Sequence, residues 1–187
     1  MDNLSKNTFR KYCKEVHRNF NVIYKINVNK KIQNILKNII IKNKYKNILL
    51  YLPLKQEVDL KQLINYLRAN NYNVFVPYMI SENQFKIVPY RLPLKKKKYN
   101  IYEPNFSNTM YKIKLDLAIV PIVGYDDTFR RVGFGVGFYD RFFSSLKYKP
   151  YTIFTQVCDC KSKNIITNDY DVKANIIINN KGLKWKK

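Results

Sequence analysis

Residues 115–121 read Leu115-Asp116-Leu117-Ala118-Ile119-Val120-Pro121, and a few residues on the chain reads Arg130-Arg131-Val132-Gly133-Phe134-Gly135-Val136-Gly137-Phe138-Tyr139-Asp140-Arg141. The first stretch is an apolar run rich in branched residues and closed by proline, the pattern of a strand buried on both faces. The second is a glycine loop running into a short helix, with Phe142, Phe143 and Leu146 expected inward. A buried strand, a glycine turn and a helix in that order are the unit of a parallel sheet.

The flanking sequence repeats the alternation. Phe9, Cys13, Val16 and Phe20 recur at helical spacing and predict a helix over 6–20. Val28, Ile32, Ile35, Leu36 and Ile39 predict a second over 28–42, and Asp59 can cap a third through Asn70. Asn47–Leu52, Asn73–Pro77, Gln84–Tyr90, Tyr151–Gln156 and Asn175–Ile178 read as strands. The fold expected is α/β: an open, mainly parallel sheet with helices on both faces, Rossmann-like and three-layered. Residues 1–187 form a single domain in this reading, with no repeat and no linker. Leu92–Asn100, which holds Lys95-Lys96-Lys97-Lys98, reads as an exposed loop, and 181–187 as a loose basic tail.

Composition narrows the class. Hydrophobic residues are 46% of the 187 and aromatics 15%, so the chain folds rather than staying disordered. No apolar run approaches the roughly 20 residues of a membrane helix. Met1–Ser5 shows no secretory pattern, so a soluble, cytoplasmic protein is expected. Thirty-five basic against 13 acidic residues give +22, a field that attracts polyanions without choosing among them. The heavy use of Lys, Asn, Ile and Tyr points to an AT-biased coding sequence as one source of that charge. Cys13, Cys158 and Cys160 give no even disulfide framework and are expected as reduced thiols. One histidine, His17, and no second cysteine pair argue against zinc; His17 is expected to pack rather than catalyse.

Three of the five glycines fall at Gly133, Gly135 and Gly137. Glycines let backbone N–H groups approach an anion, and a helix start adds unpaired N–H groups and a positive dipole end. Arg131 supplies a planar cation for phosphate oxygens, and Asp140 can hold Mg²⁺ through its oxygens. Lys6, Arg10, Lys14 and Arg18 recur every four residues, a row of like charges that repel unless an anion lies on it. A solvated basic face is the bland alternative.

The segment RRVGFGVGFYDRF resembles the R-L-G-x-G-x-G-Y-Y-D signature of the 5-formyltetrahydrofolate cyclo-ligases, also called methenyltetrahydrofolate synthetases. The resemblance continues in order through Lys6–Arg10, Tyr51–Asp59, Val74–Pro77, Glu103-Pro104, Asp116–Pro121, Gln156 and Asn168–Lys173. It implies ATP as co-substrate, bound by Lys6, Arg10, Arg131, Gly133, Phe134, Gly135, Val136, Gly137, Phe138 and Tyr139. It implies reduced folate at Glu57, Gly135, Phe138 and Tyr139, Mg²⁺ at Asp140 and Asp171, and catalytic roles for Arg131, Tyr139 and Lys6. A carboxylate at Glu57 suits the adjacent N–H donors of a pterin edge. Phe138 replaces the first tyrosine of the signature, Phe129 a turn glycine, and Ile122 another glycine. The implied reaction cyclises 5-formyltetrahydrofolate to 5,10-methenyltetrahydrofolate with release of ADP and phosphate. Partners are then small molecules, with no specific nucleic acid, no membrane and a monomeric protein expected. Two other readings remain. A nucleic-acid-binding module would show salt-sensitive RNA or DNA binding. A catalytically silent folate-binding relative would bind folate without releasing ADP.

Overall fold

The structure is a computed structural model that describes residues 5–97, 102–105 and 113–185. In chain order its elements are α1 (Lys6–Arg18), α2 (Val22–Lys42), β1 (Asn47–Leu49), α3 (Lys61–Ala69), β2 (Asn73–Met79), β3 (Phe85–Pro89), β4 (Leu94–Lys96) and β5 (Tyr102–Pro104). There follow β6 (Leu117–Pro121), β7 (Gly124–Tyr125), β8 (Arg131–Val132), α4 (Phe138–Ser145), β9 (Tyr151–Thr155), β10 (Ile176–Asn179) and β11 (Gly182–Trp185).

Seven strands form one sheet in the order β11-β10-β9-β6-β1-β2-β3. The five inner strands run parallel, and β11 and β3 pair antiparallel at the two edges. Alternate residues divide between two cores, as strand pleating requires. Ile48, Leu117, Ile119, Ile176 and Ile178 meet α2 and α3 through Val28, Ile32, Leu36, Ile40, Leu63, Ile64 and Leu67. Leu49, Ala118, Val120, Phe154 and Ile177 face the other way, under Tyr125, Phe129 and the α4 rings Tyr139, Phe142 and Phe143. The three-layer α/β arrangement expected from the sequence is therefore present.

Several local expectations need correction. Helix α2 begins at Val22, not Val28, because Asn21 caps it: its side-chain oxygen accepts from the Ile23 and Tyr24 amides at 2.9 and 3.1 Å. Val22, Ile23 and Tyr24 are exposed, so that first turn carries no apolar periodicity. The 92–100 segment is not all loop: β4 pairs antiparallel with β5, and 98–100 lie outside the described residues. The tail is not loose over Gly182–Trp185, where β11 completes the sheet edge and Lys184 Nζ reaches Asp159 Oδ2 at 2.6 Å. Leu146 ends α4 in an extended conformation and does not extend its inner face.

The cysteine reading is also overturned. Cys13 and Cys160 form a disulfide across 147 residues, and Cys158 alone stays free. Both bonded cysteines are buried, because α1 lies across β7 and the segment after β9. Gly124 permits that approach: a Cβ there would fall 2.6 Å from the Phe9 ring. His17 is packed as expected, with Nε2 2.9 Å from the Val123 carbonyl.

Candidate active site

In an open α/β sheet, ligands bind beyond the carboxyl ends of the strands, where neighbouring connections leave in opposite directions. Here that point lies between β1 and β6. Two adjoining cavities open there. One, of about 260 Å³, is largely apolar and is walled by Tyr51 and Leu52 after β1, Pro121 ending β6, Met79, Phe85 and Phe138. The other, of about 460 Å³, is polar and holds Lys6, Arg10, Arg131, Asp140 and Asp171. Arg131 and Gly137 border both.

The glycine loop is the partition. Gly135 at φ +116° and Gly137 at φ +74° occupy backbone regions that side chains disfavour, so the chain reverses between them at little cost. As a result Gly133 and Gly135 face the polar cleft, Gly137 borders both cavities, and Phe134, Val136, Phe138 and Tyr139 line the apolar one. Phe134 and Val136, which the resemblance gives to ATP, and Phe138 and Tyr139, which it gives to both ATP and folate, thus line the apolar cavity. The turn before the loop keeps a glycine-like shape: Phe129 sits at φ +60°, with its ring edge-on to Tyr125. Asp126, which the sequence reading overlooked, fixes that turn. It is wholly buried, and its oxygens accept from the amides and hydroxyls of Thr128 and Thr167 and from the Ile166 amide. Burial alone would raise its pKa, but those hydrogen bonds hold it below the usual carboxylate value. Only the folded path of 126–167 brings these groups together, so no sequence signal marked it.

Helix α1 brings its basic row to the loop. Arg10 Nε donates to the Gly133 carbonyl at 2.8 Å and Lys14 Nζ to the Phe134 carbonyl at 3.2 Å. Lys6 Nζ lies 2.5 Å from Asp171 Oδ2, which also accepts from the Asn168 amide at 2.7 Å. Arg131 is 4% exposed and grips Asp140 with two hydrogen bonds, Nε to Oδ1 at 3.0 Å and Nη2 to Oδ2 at 2.9 Å. Burial would raise the Asp140 pKa, yet the Arg131 charge and the Val172 amide hold it low. The Arg131 guanidinium also lies 5.1 Å from the Tyr139 ring centre.

Glu57 lies on the apolar cavity, where its Oε2 accepts from the Leu54 amide at 2.8 Å. Burial pushes its pKa up to about 7, against the Leu54 hydrogen bond and the Lys25 charge. Burial and the nearby Glu57 also raise the Tyr139 pKa, so this phenol keeps its proton at neutral pH. Sequence reasoning assigned no role to Tyr51, Met79 or Phe85, which complete the cavity; each resembles ordinary core until the strand ends converge.

Residues 2–180 match the sequence model of the 5-formyltetrahydrofolate cyclo-ligase family. The chain belongs to that family. A 5-formyltetrahydrofolate cyclo-ligase of Haemophilus influenzae is 30% identical over 142 residues, 72% of this chain and 76% of the relative. One of Mycoplasma pneumoniae is 26% identical over 94% of this chain and 99% of its own length. A solved 5,10-methenyltetrahydrofolate synthetase of Aquifex aeolicus superposes with a TM-score of 0.82 over 97% of this chain and 93% of its own, at 22% identity, and so attests the fold. Another, from Mycoplasma pneumoniae, gives 0.74 over 96% of this chain and 99% of its own at 27% identity. The cyclo-ligase family is a family of ligases, and the chain is an enzyme of that class. No helix among its described residues is long and apolar enough to cross a membrane.

Proposed function

We propose that the enzyme converts 5-formyltetrahydrofolate and ATP to 5,10-methenyltetrahydrofolate, ADP and phosphate, with Mg²⁺ required. One observation carries this reading: a single glycine loop forms a wall of both an apolar cavity fit for a pterin and a cationic cleft fit for a triphosphate, and Arg131 borders each. The folate ring enters the apolar cavity, where ionised Glu57 accepts from the pterin N–H edge. The triphosphate enters the cleft against Lys6, Arg10 and the Gly133–Gly137 amides.

The formyl oxygen is a poor leaving group. It attacks the γ-phosphorus of ATP, and ADP leaves. The folate N10 then attacks the activated formyl carbon and gives up its proton to solvent, and phosphate departs as the ring closes. Arg131 stands where the two ligands meet and neutralises charge on the transferring phosphoryl group. Lys6 adds a second cation from the opposite wall. Tyr139, held protonated, offers a hydrogen bond to the activated oxygen and packs its ring beside the pterin. Alignment of two bound reactants supplies much of the acceleration.

Asp140 and Asp171 fit a magnesium ion of the kind shared with a nucleotide. They border one cleft, and the Val172 amide beside Asp171 donates to Asp140 Oδ1 at 3.1 Å. One or two carboxylates completed by phosphate oxygens and water are the usual holders of this ion, which screens phosphate charge when bound. The deciding experiment mixes purified protein, Mg-ATP and 5-formyltetrahydrofolate and follows the ultraviolet band of the methenyl product. Absence of that band at saturating substrates would overturn the proposal.

A further inference from the structure

The basic row on α1 divides. Lys6 and Arg10 border the polar cleft, whereas Lys14, one turn further on, does not. Its ammonium instead holds one residue of the loop in two ways. It donates to the Phe134 carbonyl at 3.2 Å and stands 5.3 Å from the centre of the Phe134 ring. Burial, and then the Arg10 charge, lower its pKa, as expected of a lysine drawn off the surface. Phe134 borders the apolar cavity, and its ring is packed from behind by the cluster of Phe9, Cys13 and Val132. Residue 134 lies between β8 and α4, outside any helix or strand ladder. The position of its ring therefore depends on what grips its backbone and its faces.

We propose that Lys14 is a positioning residue for the folate: by holding the carbonyl and the ring of Phe134 it fixes that ring as a wall of the pterin cavity. This rests on the reading that the apolar cavity takes the reduced folate. The consequence is a division of labour along one helix face. Two cations at the start of α1 serve the nucleotide, and the next one serves the other substrate through an aromatic intermediary. A solvated lysine would serve neither, and a phosphate ligand would serve only ATP.

Steady-state kinetics of Lys14→Met separate these cases, because methionine keeps the stem and removes the charge. The expected result is a KM for 5-formyltetrahydrofolate raised about tenfold, the size of a lost cation contact to a carbonyl and a ring face. The KM for ATP and kcat are expected to stay within about twofold, since Lys14 does not itself border the cleft. Lys14→Arg restores the folate KM, because a guanidinium can donate to the carbonyl and stack on the ring. Phe134→Leu raises the same KM, and adding Lys14→Met to it changes little, because the two residues act through one contact. A raised KM for ATP, or no change in either KM, overturns the proposal. A general loss of packing would instead move kcat, both KM values and the unfolding midpoint together. If the wild-type protein forms no methenyl product, the functional reading fails. Equilibrium binding of 5-formyltetrahydrofolate to wild type and Lys14→Met then decides the proposal, and equal affinity, or binding by neither, overturns it.

Discussion

Glu57→Gln tests whether a buried carboxylate has been placed in the proposed folate cavity at the expense of stability. In the folded chain burial pushes the Glu57 pKa from 4.5 to about 7, with the Leu54 amide and Lys25 opposing. In the unfolded chain the carboxyl returns to its ordinary value. Between those two values the folded state binds more protons than the unfolded state, so the slope of stability with pH is negative. The contribution is most favourable below the unfolded pKa and is lost as pH rises through about 7. A shift of this size corresponds to about 3 kcal/mol in a dry site, and to about 2 kcal/mol with the solvent that an open cavity admits. Glutamine preserves the volume and can still accept from Leu54, but it does not ionise. Urea unfolding of both proteins at about pH 5 and about pH 8 gives the comparison. The difference between them should move by about 2 kcal/mol in favour of the variant at the higher pH. A difference constant to about 0.5 kcal/mol across that range would refute the burial argument. On the proposed reading the same ionisation should give the wild-type enzyme a folate KM that rises about tenfold from pH 8 to pH 6, a dependence Glu57→Gln should lack.

Arg131→Ala should still fold but lose turnover by about 10² or more, because Arg131 borders both cavities. It should also lower the unfolding free energy by about 3 kcal/mol by stranding the Asp140 carboxylate; wild-type kcat would contradict the assignment. Asp140→Asn should move the Mg²⁺ titration of turnover to higher concentration, and an unchanged titration would count against this carboxylate as a metal holder. Thiol reduction should lower the urea midpoint of wild type by the equivalent of about 4–5 kcal/mol, since the Cys13–Cys160 bridge closes a long loop. The Cys13→Ala protein should show no response to reductant.

The parts of the fold that repeat a local rule were legible in the sequence. Leu117–Pro121 is apolar at every position because both faces of a central parallel strand are covered. Helix α3 shows its inner face plainly at Leu63, Ile64 and Leu67. What escaped depends on contacts distant in sequence. Cys13 meets Cys160 only because α1 crosses β7, so the odd cysteine count was a poor guide. The strand at Gly182–Trp185 looked like tail because an edge strand need not be apolar on its open side; its partner is backbone. The sequence suggested a phosphate cradle at the glycine loop and did not show that the loop divides two cavities. Alternating glycine and apolar residues at 133–139 resemble loop filler until the positive φ values at Gly135 and Gly137 set them on opposite sides.

That partition bears on how the cleft accepts a polyanion. Among the described residues Lys6, Arg10 and Arg131 face Asp140 and Asp171, so three cations meet two carboxylates. Each cation already has an acceptor: Asp171 for Lys6, the Gly133 carbonyl for Arg10, Asp140 for Arg131. A bare triphosphate could take those cations only by leaving two carboxylates unpaired beside it, a costly arrangement in a half-buried site. A nucleotide arriving with a divalent cation avoids that cost, because carboxylates released by Lys6 and Arg131 gain a new positive partner as phosphate oxygens replace them. On the proposed reading, nucleotide binding is thus an exchange of ion pairs, and the charges of the cleft stay paired without ligands. Its selectivity for a metal-bound triphosphate then comes from the two aspartates as much as from the cations.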